Sequence, residues 1–268
     1  MIPYFSFEKI GPFYTWGLFL ALGFLAGLVF VLRQAKEERI KKELVWDLFW
    51  WVLVGSVVGM RLGYVLQFPQ KFFSNPVEIV KIWDGGLTFY GGLSGGIIGA
   101  LYFKKVKNLN SKEFGKMADL IALSAPLGII IARIGCFLIN DHQGALTSLP
   151  WGIVWPDGQI RHPVALYLII NGVLLYYILE VVKPFLKKEG QVFLFFLLFY
   201  SLSRFFLDFT RSVGTELSDP HYLFLSISQC FSVFVFLLSL IILIAIRKQP
   251  KLIKASDKLN CEKEKRGR

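Results

Sequence analysis

Three arginines stand in stretches that are otherwise apolar: Arg61, Arg133 and Arg204. A guanidinium at the centre of a membrane helix costs roughly 2.5 to 3.5 kcal/mol even on the most lenient insertion scale, so three of them call for a compensating purpose. Around Arg204, the residues Tyr200, Asp208 and Arg211 complete an i, i+4, i+8, i+11 series that puts all four on one helix face. An Arg204/Asp208 ion pair that merely neutralises itself, or arginines that snorkel to an interface, would explain these charges without chemistry. Arg61, well inside its apolar stretch, is the least able to snorkel. The chemical alternative keeps the ion pair and adds an anion, because the planar fork of arginine binds phosphate through two parallel N–H bonds.

Other motifs compete with this one. Gly91, Gly95 and Gly99 share a helix face, with Gly92, Gly96 and Ala100 beside them and Tyr90 just before. Small-xxx-small spacing serves helix packing, and would also let a lipid backbone approach closely. Gly92-Leu93-Ser94-Gly95-Gly96 has the form of a serine nucleophile motif. Such a serine needs a base, yet His142, His162 and His221 all fall between the apolar stretches. Dense polar chemistry also runs from Arg133-Ile134-Gly135-Cys136-Phe137 to Asn140-Asp141-His142-Gln143-Gly144 and through Arg161-His162-Pro163. Asp141, His142 and His162 could be imagined on zinc, but adjacent Asp and His do not make a ligand spacing, and a solvated loop or an interfacial cap explains them as well.

The elements that carry these groups follow from the apolar pattern. Hydrophobic residues make up 54% of the chain, with 26 Phe, which is more apolar surface than a soluble fold of 268 residues can keep from water. Seven windows have spanning length, about 13–32, 44–66, 86–103, 117–139, 164–182, 191–209 and 222–246. Helices are expected in all of them, because a lone segment in lipid must satisfy its own backbone and no alternating strand pattern occurs. The fold class is therefore all-α, a polytopic bundle read as one domain over 1–246. The first window lacks a basic lead-in and a small-residue cleavage site, so it reads as a retained span. Cys136, Cys230 and Cys261 fall in two spans and the tail, and imply no disulfide framework.

The net charge of +11 could suggest nucleic acid, but its distribution points to a bilayer. Lys and Arg number five in 33–43, five in 104–116, three in 183–190 and nine in 247–268, against one, two, one and one in the alternating connections. The positive-inside rule then places the N-terminus outside and the C-terminus in the cytoplasm, which an odd number of spans also requires. The basic 247–268 segment is expected to be a disordered tail. The 67–85 and 140–163 connections are expected to form a small extracytoplasmic head, with Trp83, Trp151 and Trp155 as an interfacial belt.

Taken in order, several of these stretches resemble the bacterial prolipoprotein diacylglyceryl transferase family. The blocks are Gly59-Met60-Arg61-Leu62-Gly63-Tyr64-Val65, Trp83-Asp84-Gly85-Gly86, Tyr90-Gly91-Gly92-Leu93, Arg133 to Gly144, Arg161-His162-Pro163 with Leu166-Tyr167, and Tyr200 with Arg204, Asp208 and Arg211. The resemblance implies a multi-pass enzyme of the bacterial cytoplasmic (inner) membrane. Its substrates would be phosphatidylglycerol from the surrounding lipid and preprolipoprotein signal peptides that carry a lipobox cysteine, with no part for nucleic acid. By motif position Arg133, Arg204 and Tyr90 are the expected catalytic residues, Tyr90 standing where the family commonly has a histidine. Arg61, Gly91, Gly92, Asp141, Gly144, His162, Tyr200 and Asp208 are expected to bind substrate. Departures from the family pattern are Cys136 for asparagine, Asp141 for glutamate, Trp16 for tyrosine, and Ala165 and Leu168 for glutamine and glutamate.

The chemistry so implied needs no metal and no organic cofactor. A thiolate attacks a glycerol carbon and a phosphate monoester leaves, so charge must be stabilised on the leaving side, the task expected of Arg133 and Arg204. A phenol is a poor base near neutrality, so Tyr90 is expected to orient the lipid at least as much as to take a proton.

Overall fold

The computed structural model describes residues 1–73, 76–81, 85–141, 143–213, 221–222 and 225–248. Every expected apolar window is a helix: α1 (Thr15–Glu37), α2 (Lys42–Gln67), the short α3 (Pro69–Phe73), α4 (Phe89–Val106), α5 (Ser111–Ile139), α6 (Val164–Val182), α7 (Gln191–Asp208) and α8 (Ile227–Lys248). The described residues also form seven two-residue strands: β1 (Ile2–Pro3), β2 (Lys9–Ile10), β3 (Phe13–Tyr14), β4 (Ile153–Val154), β5 (Ile160–Arg161), β6 (His221–Tyr222) and β7 (Leu225–Ser226). Among the described residues six helices, α1, α2, α5, α6 with the turn that follows it, α7 and α8, are long and apolar enough to cross a bilayer. In α4, Gly91, Gly92, Gly95, Gly96 and Gly99 and the terminal Lys104 and Lys105 dilute the apolar content, so its place as a seventh span is a proposal. Leu22, Phe24 and Leu25 on α1, Val54, Val58 and Leu62 on α2, and Phe234, Leu237 and Ile241 on α8 all stand exposed. Hydrocarbon tolerates such faces and water does not. The tail beyond residue 248, with Cys261, lies outside the described residues, as do Trp83, Asp84 and His142.

The chain divides into two compact units, residues 28–120 and residues 1–27 with 121–268, and α1 and α5 each pass from one into the other. In the 28–120 unit, α2 and α4 lie against each other along their length. Glycines on both helices explain the contact: a Cβ on Gly55 would come within 2.5 Å of the Gly95 carbonyl oxygen, one on Gly59 within 2.3 Å of that of Gly91, and one on Gly99 within 2.3 Å of that of Trp51. Backbone can approach backbone this closely only without side chains between. The rest of this core is aliphatic, with Leu28, Val31, Ala35, Val45 and Leu120 in one cluster and Leu48, Phe103 and Met117 in another. α5 starts at a reciprocal cap: Asn110 Oδ1 accepts the N–H of Glu113 at 2.9 Å and Glu113 Oε2 accepts that of Asn110 at 2.9 Å.

In the other unit α6 packs on α7 and α7 on α8. Glycine again sets the spacing, since a Cβ on Gly23 would sit 2.8 Å from the Gly128 carbonyl oxygen and one on Gly135 2.6 Å from Phe19 Cβ. The N-terminal residues are woven into this unit: β1 runs parallel to β4, which pairs antiparallel with β5. The Phe7 N–H donates to the Leu138 carbonyl at 2.9 Å, and the buried Asn140 amide donates to the Phe5 carbonyl. Asn140 adopts φ +47, a left-handed residue that ends α5 and turns the chain into the 140–163 connection. The expected interfacial tryptophans diverge here: Trp151 is exposed and donates to Tyr167 Oη at 2.9 Å, whereas the Trp155 ring packs 5.2 Å from that of Tyr4.

Candidate active site

Helix geometry alone puts Tyr200, Arg204 and Asp208 on one line of α7, and a turn after the helix end brings Arg211 back to the same carboxylate. Arg204 Nη2 lies 3.2 Å from Asp208 Oδ1, and Arg211 Nη1 lies 3.4 Å from that oxygen. The second oxygen, Oδ2, accepts the hydroxyl of Ser226, one residue before α8. The Asp208 side chain is only 4% exposed and that of Arg204 16%. Among the described residues Arg204 Nη1, though buried, has no hydrogen-bond partner. A buried unmatched donor costs about 1 to 3 kcal/mol, more for a charged group, so it is kept for a reason. Tyr200, Asp208, Arg211 and Arg133 all act electrostatically on this guanidinium. Tyr200 is held by stacking on Phe196, ring centroids 5.7 Å apart at 23°.

The end of α5 supplies the second group of polar residues. Arg133 Nη1 lies 3.6 Å from Cys136 Sγ, and the Cys136 thiol is also hydrogen-bonded to Asp141. Cys136 is 3% exposed, whereas Asp141 is exposed. Arg204 and Arg211 thus share the Asp208 carboxylate, and Arg133 lies beside Cys136 at the end of α5.

Gly144 is fixed by backbone. It bridges Arg211 on one side, while the Ala145 N–H donates to the Thr210 carbonyl at 2.9 Å and the His162 N–H to that of Ala145 at 3.0 Å. A Cβ at Gly144 would lie 2.1 Å from the His162 carbonyl oxygen, so only glycine fits between the two neighbours. His162 Nδ1 is 3.1 Å from Tyr167 Oη, which also accepts Trp151 Nε1. Beside it Arg161 Nη2 donates to Asp157 Oδ2 at 2.7 Å, and that bond holds the Asp157 carboxyl below the usual carboxylate range. Among the described residues no three of His, Cys, Asp or Glu stand close enough to share a metal ion. His142, of the imagined zinc set, lies outside those residues.

The remaining expected site residues lie in the 28–120 unit, and several do structural work there. Arg61 is not mid-span: it sits in the last turns of α2, 7% exposed, and reaches the following connection. Its Nε donates to the Ile79 carbonyl at 2.9 Å, Nη1 to those of Gly85 at 2.6 Å and Gly86 at 3.0 Å, and Nη2 to that of Glu78. Gly85 and Gly86 take φ of +81 and +72, turning their carbonyls inward as side chains would not allow. Phe72 and Tyr64 lie 5.3 and 5.9 Å from the same guanidinium. Gly91 and Gly92 face α2, where a Cβ would meet the Gly59 carbonyl at 2.3 Å and Met60 Cγ at 2.5 Å, so packing explains this pair and leaves no gap for lipid between the helices. Tyr90 is 39% exposed at the start of α4, its ring edge-on to Phe89. Ser94 is exposed, on a face of α4 other than the glycine face that meets α2.

Two features of these sites were not among the sequence expectations. The partner stripe Gly55-xxx-Gly59-xxx-Gly63 on α2 has the same small-xxx-small spacing as the one recognised on α4. Ser226 and Gln229 form a Ser-x-x-Gln capping box before an apolar run, a pattern legible in the sequence.

Comparison with known proteins agrees over nearly the whole chain. The family model described as Prolipoprotein diacylglyceryl transferase matches residues 5–245. A phosphatidylglycerol--prolipoprotein diacylglyceryl transferase of Geobacter sulfurreducens is 33% identical over 252 residues, covering 91% of this chain and 95% of the relative. Proteins of the same name from Chromohalobacter salexigens and Nitratidesulfovibrio vulgaris are 30% and 35% identical, covering 90% and 82% of this chain and 91% and 86% of their own. With matches that run from the N-terminal strap to the end of α8 and take in the arginine cluster of α5 and α7, this chain belongs to the prolipoprotein diacylglyceryl transferase family.

Proposed function

We propose that this protein transfers the diacylglyceryl group of phosphatidylglycerol to the lipobox cysteine thiol of preprolipoproteins. The thiolate sulfur forms a bond to the glycerol carbon, the carbon–oxygen bond to phosphate breaks, and glycerol phosphate leaves. The thiol proton passes to an acceptor. As the phosphodiester becomes a monoester its charge grows from about −1 toward −2. Fixed guanidinium donors in a low-dielectric site stabilise that growth selectively, with about 3 kcal/mol at stake per donor. The single observation that carries the site assignment is the buried Arg204, one nitrogen on Asp208 and the other without a partner among the described residues. Arg133 and Arg204 grip the phosphate, Asp208 and Tyr200 hold Arg204 in place, and Asp141, Gly144 and His162 shape the mouth above them. Arg61, Gly91 and Gly92 hold their own elements within the 28–120 unit. Tyr90 either accepts the thiol proton or orients the lipid, and Tyr90→Phe separates the two: loss of transfer assigns the proton, retention assigns orientation.

The basic 33–43, 104–116 and 183–190 connections favour an orientation in the bacterial inner membrane with the N-terminus outside, so lipid would enter from the outer leaflet. The deciding experiment incubates purified enzyme with lipid labelled in its acyl chains and a lipobox peptide. Label on the peptide and stoichiometric glycerol phosphate support the proposal; a labelled lipid left intact contradicts it. Ser94→Ala, in the same assay, is expected to match the parent.

A further inference from the structure

Asp208 divides its oxygens. Oδ1 takes both arginines, Arg204 at 3.2 Å and Arg211 at 3.4 Å, and Oδ2 takes the Ser226 hydroxyl. Left with the arginines alone, a carboxylate beside a guanidinium turns to meet it with both oxygens, the fork-to-fork pair that uses two N–H groups. That rotation would draw Arg204 Nη1 into the ion pair. It is opposed here because the Ser226 hydroxyl anchors Oδ2 in its present direction.

The Ser226 hydroxyl has little freedom to point elsewhere. It is 1% exposed, and one lone pair accepts the Gln229 N–H at 3.1 Å, so its single hydrogen is aimed away from the α8 backbone and toward Asp208. The anchor is itself braced. Gln229 Oε1 accepts the Ser226 N–H at 2.9 Å, and Gln229 Nε2 donates to the Phe205 carbonyl at 3.3 Å, on α7 between the arginine and the aspartate. Gln229 is 2% exposed. The first turn of α8 is thus built around the rotation of one carboxylate on α7.

We infer that Ser226 is a positioning residue for the transfer reaction: by holding Asp208 Oδ2 it limits Asp208 to a one-oxygen contact with Arg204 and leaves Arg204 Nη1 for the phosphate of the lipid. The inference rests on the proposal that Arg204 binds that phosphate. In Ser226→Ala the carboxylate turns onto both Arg204 nitrogens, and the group whose charge grows during the reaction loses a donor. Because that donor counts for more in the transition state than in the bound lipid, kcat carries the effect and KM does not.

The test measures kcat and KM for phosphatidylglycerol in four purified proteins. Ser226→Ala should lower kcat about tenfold with KM moved less than about threefold. Ser226→Thr, which keeps the hydroxyl, should restore kcat to within about threefold of the parent. Ser226→Gly separates positioning from capping, because glycine at an N-cap costs a helix only a few tenths of a kcal/mol relative to serine, yet it has no hydroxyl. It should fall as far as Ser226→Ala. A parental kcat in Ser226→Gly, or in Ser226→Ala, overturns the inference. Where neither folds, Ser226→Cys keeps the volume with a weaker donor, and there a parental kcat overturns it and a lowered one sustains it. Arg204→Ala, run alongside, keeps the two claims apart. If that variant is as fast as the parent, the phosphate-binding role of Arg204 fails; if it is dead while Ser226→Ala and Ser226→Gly are parental, only the role of Ser226 fails.

Discussion

Replacing Gly144 with alanine should damage catalysis through backbone geometry alone. The added Cβ would lie 2.1 Å from the His162 carbonyl oxygen and 2.9 Å from its carbonyl carbon. Ordinary contact needs about 1 Å more, so the two backbones must part by roughly that amount. The His162 N–H donates to the Ala145 carbonyl at 3.0 Å, and opening it to about 4 Å breaks it. One such bond lost with its groups still buried costs about 1 to 3 kcal/mol. If the strain goes the other way, the bridge to Arg211 gives and the arginine that shares Asp208 with Arg204 moves. A displacement of about 1 Å at a positioned charge can lower turnover on the order of a hundredfold. Transfer of labelled diacylglyceryl to a lipobox peptide, measured with the unfolding midpoint of the same detergent-purified sample, reads both effects. An alanine variant that keeps turnover within about twofold of the parent at an unchanged midpoint would refute the reasoning, since the clash would then have been absorbed at no cost.

Other consequences follow from the same geometry. Gly95→Leu would set a side chain 2.1 Å from the Gly55 carbonyl oxygen, so separation of α2 from α4 and loss of the monodisperse fold on size exclusion are expected. Arg61→Ala strands four carbonyls, those of Glu78, Ile79, Gly85 and Gly86, and should open the 76–81 stretch to limited proteolysis with a fall in stability of about 3 to 5 kcal/mol; a resistant variant would contradict the clasp. The Asp157 carboxyl is held low in the folded protein by Arg161, so its stabilising contribution is present above the unfolded value near pH 4 and is lost as pH falls through the lower folded value. Asp157→Asn should flatten that acid limb of the stability profile, and the effect should be small because the side chain is solvent-facing.

Much of the fold was legible because lipid imposes a length on every apolar segment: each of the seven windows holds a helix, with bounds up to about six residues from those expected. The α7 stripe was legible for a similar reason, as helical periodicity fixes which side chains share a face, and Arg204 and Asp208 do meet at 3.2 Å. Periodicity says nothing about contacts between segments far apart in sequence. Ser226, which completes the Asp208 carboxylate, is 18 residues away beyond a loop, and Phe5 and Phe7 reach the end of α5 from the N-terminus. Arg61 shows the same limit differently. Its residue type suggested an anion, but a guanidinium is satisfied equally by a cradle of carbonyls, and where those of Glu78, Ile79, Gly85 and Gly86 lie is a tertiary fact. Gly91 and Gly92 had both a packing and a lipid-approach meaning, and the glycine stripe of α2 accounts for the packing one.

The central claim is that guanidinium groups in the α5 and α7 spans hold the phosphate of the lipid while sulfur displaces it. Its most direct test is the single-turnover rate of diacylglyceryl transfer by folded Arg133→Ala and Arg204→Ala proteins at saturating phosphatidylglycerol. Each should be slower than the parent by about a hundredfold or more, the loss of one preorganised donor. Rates equal to the parent in either variant would contradict it.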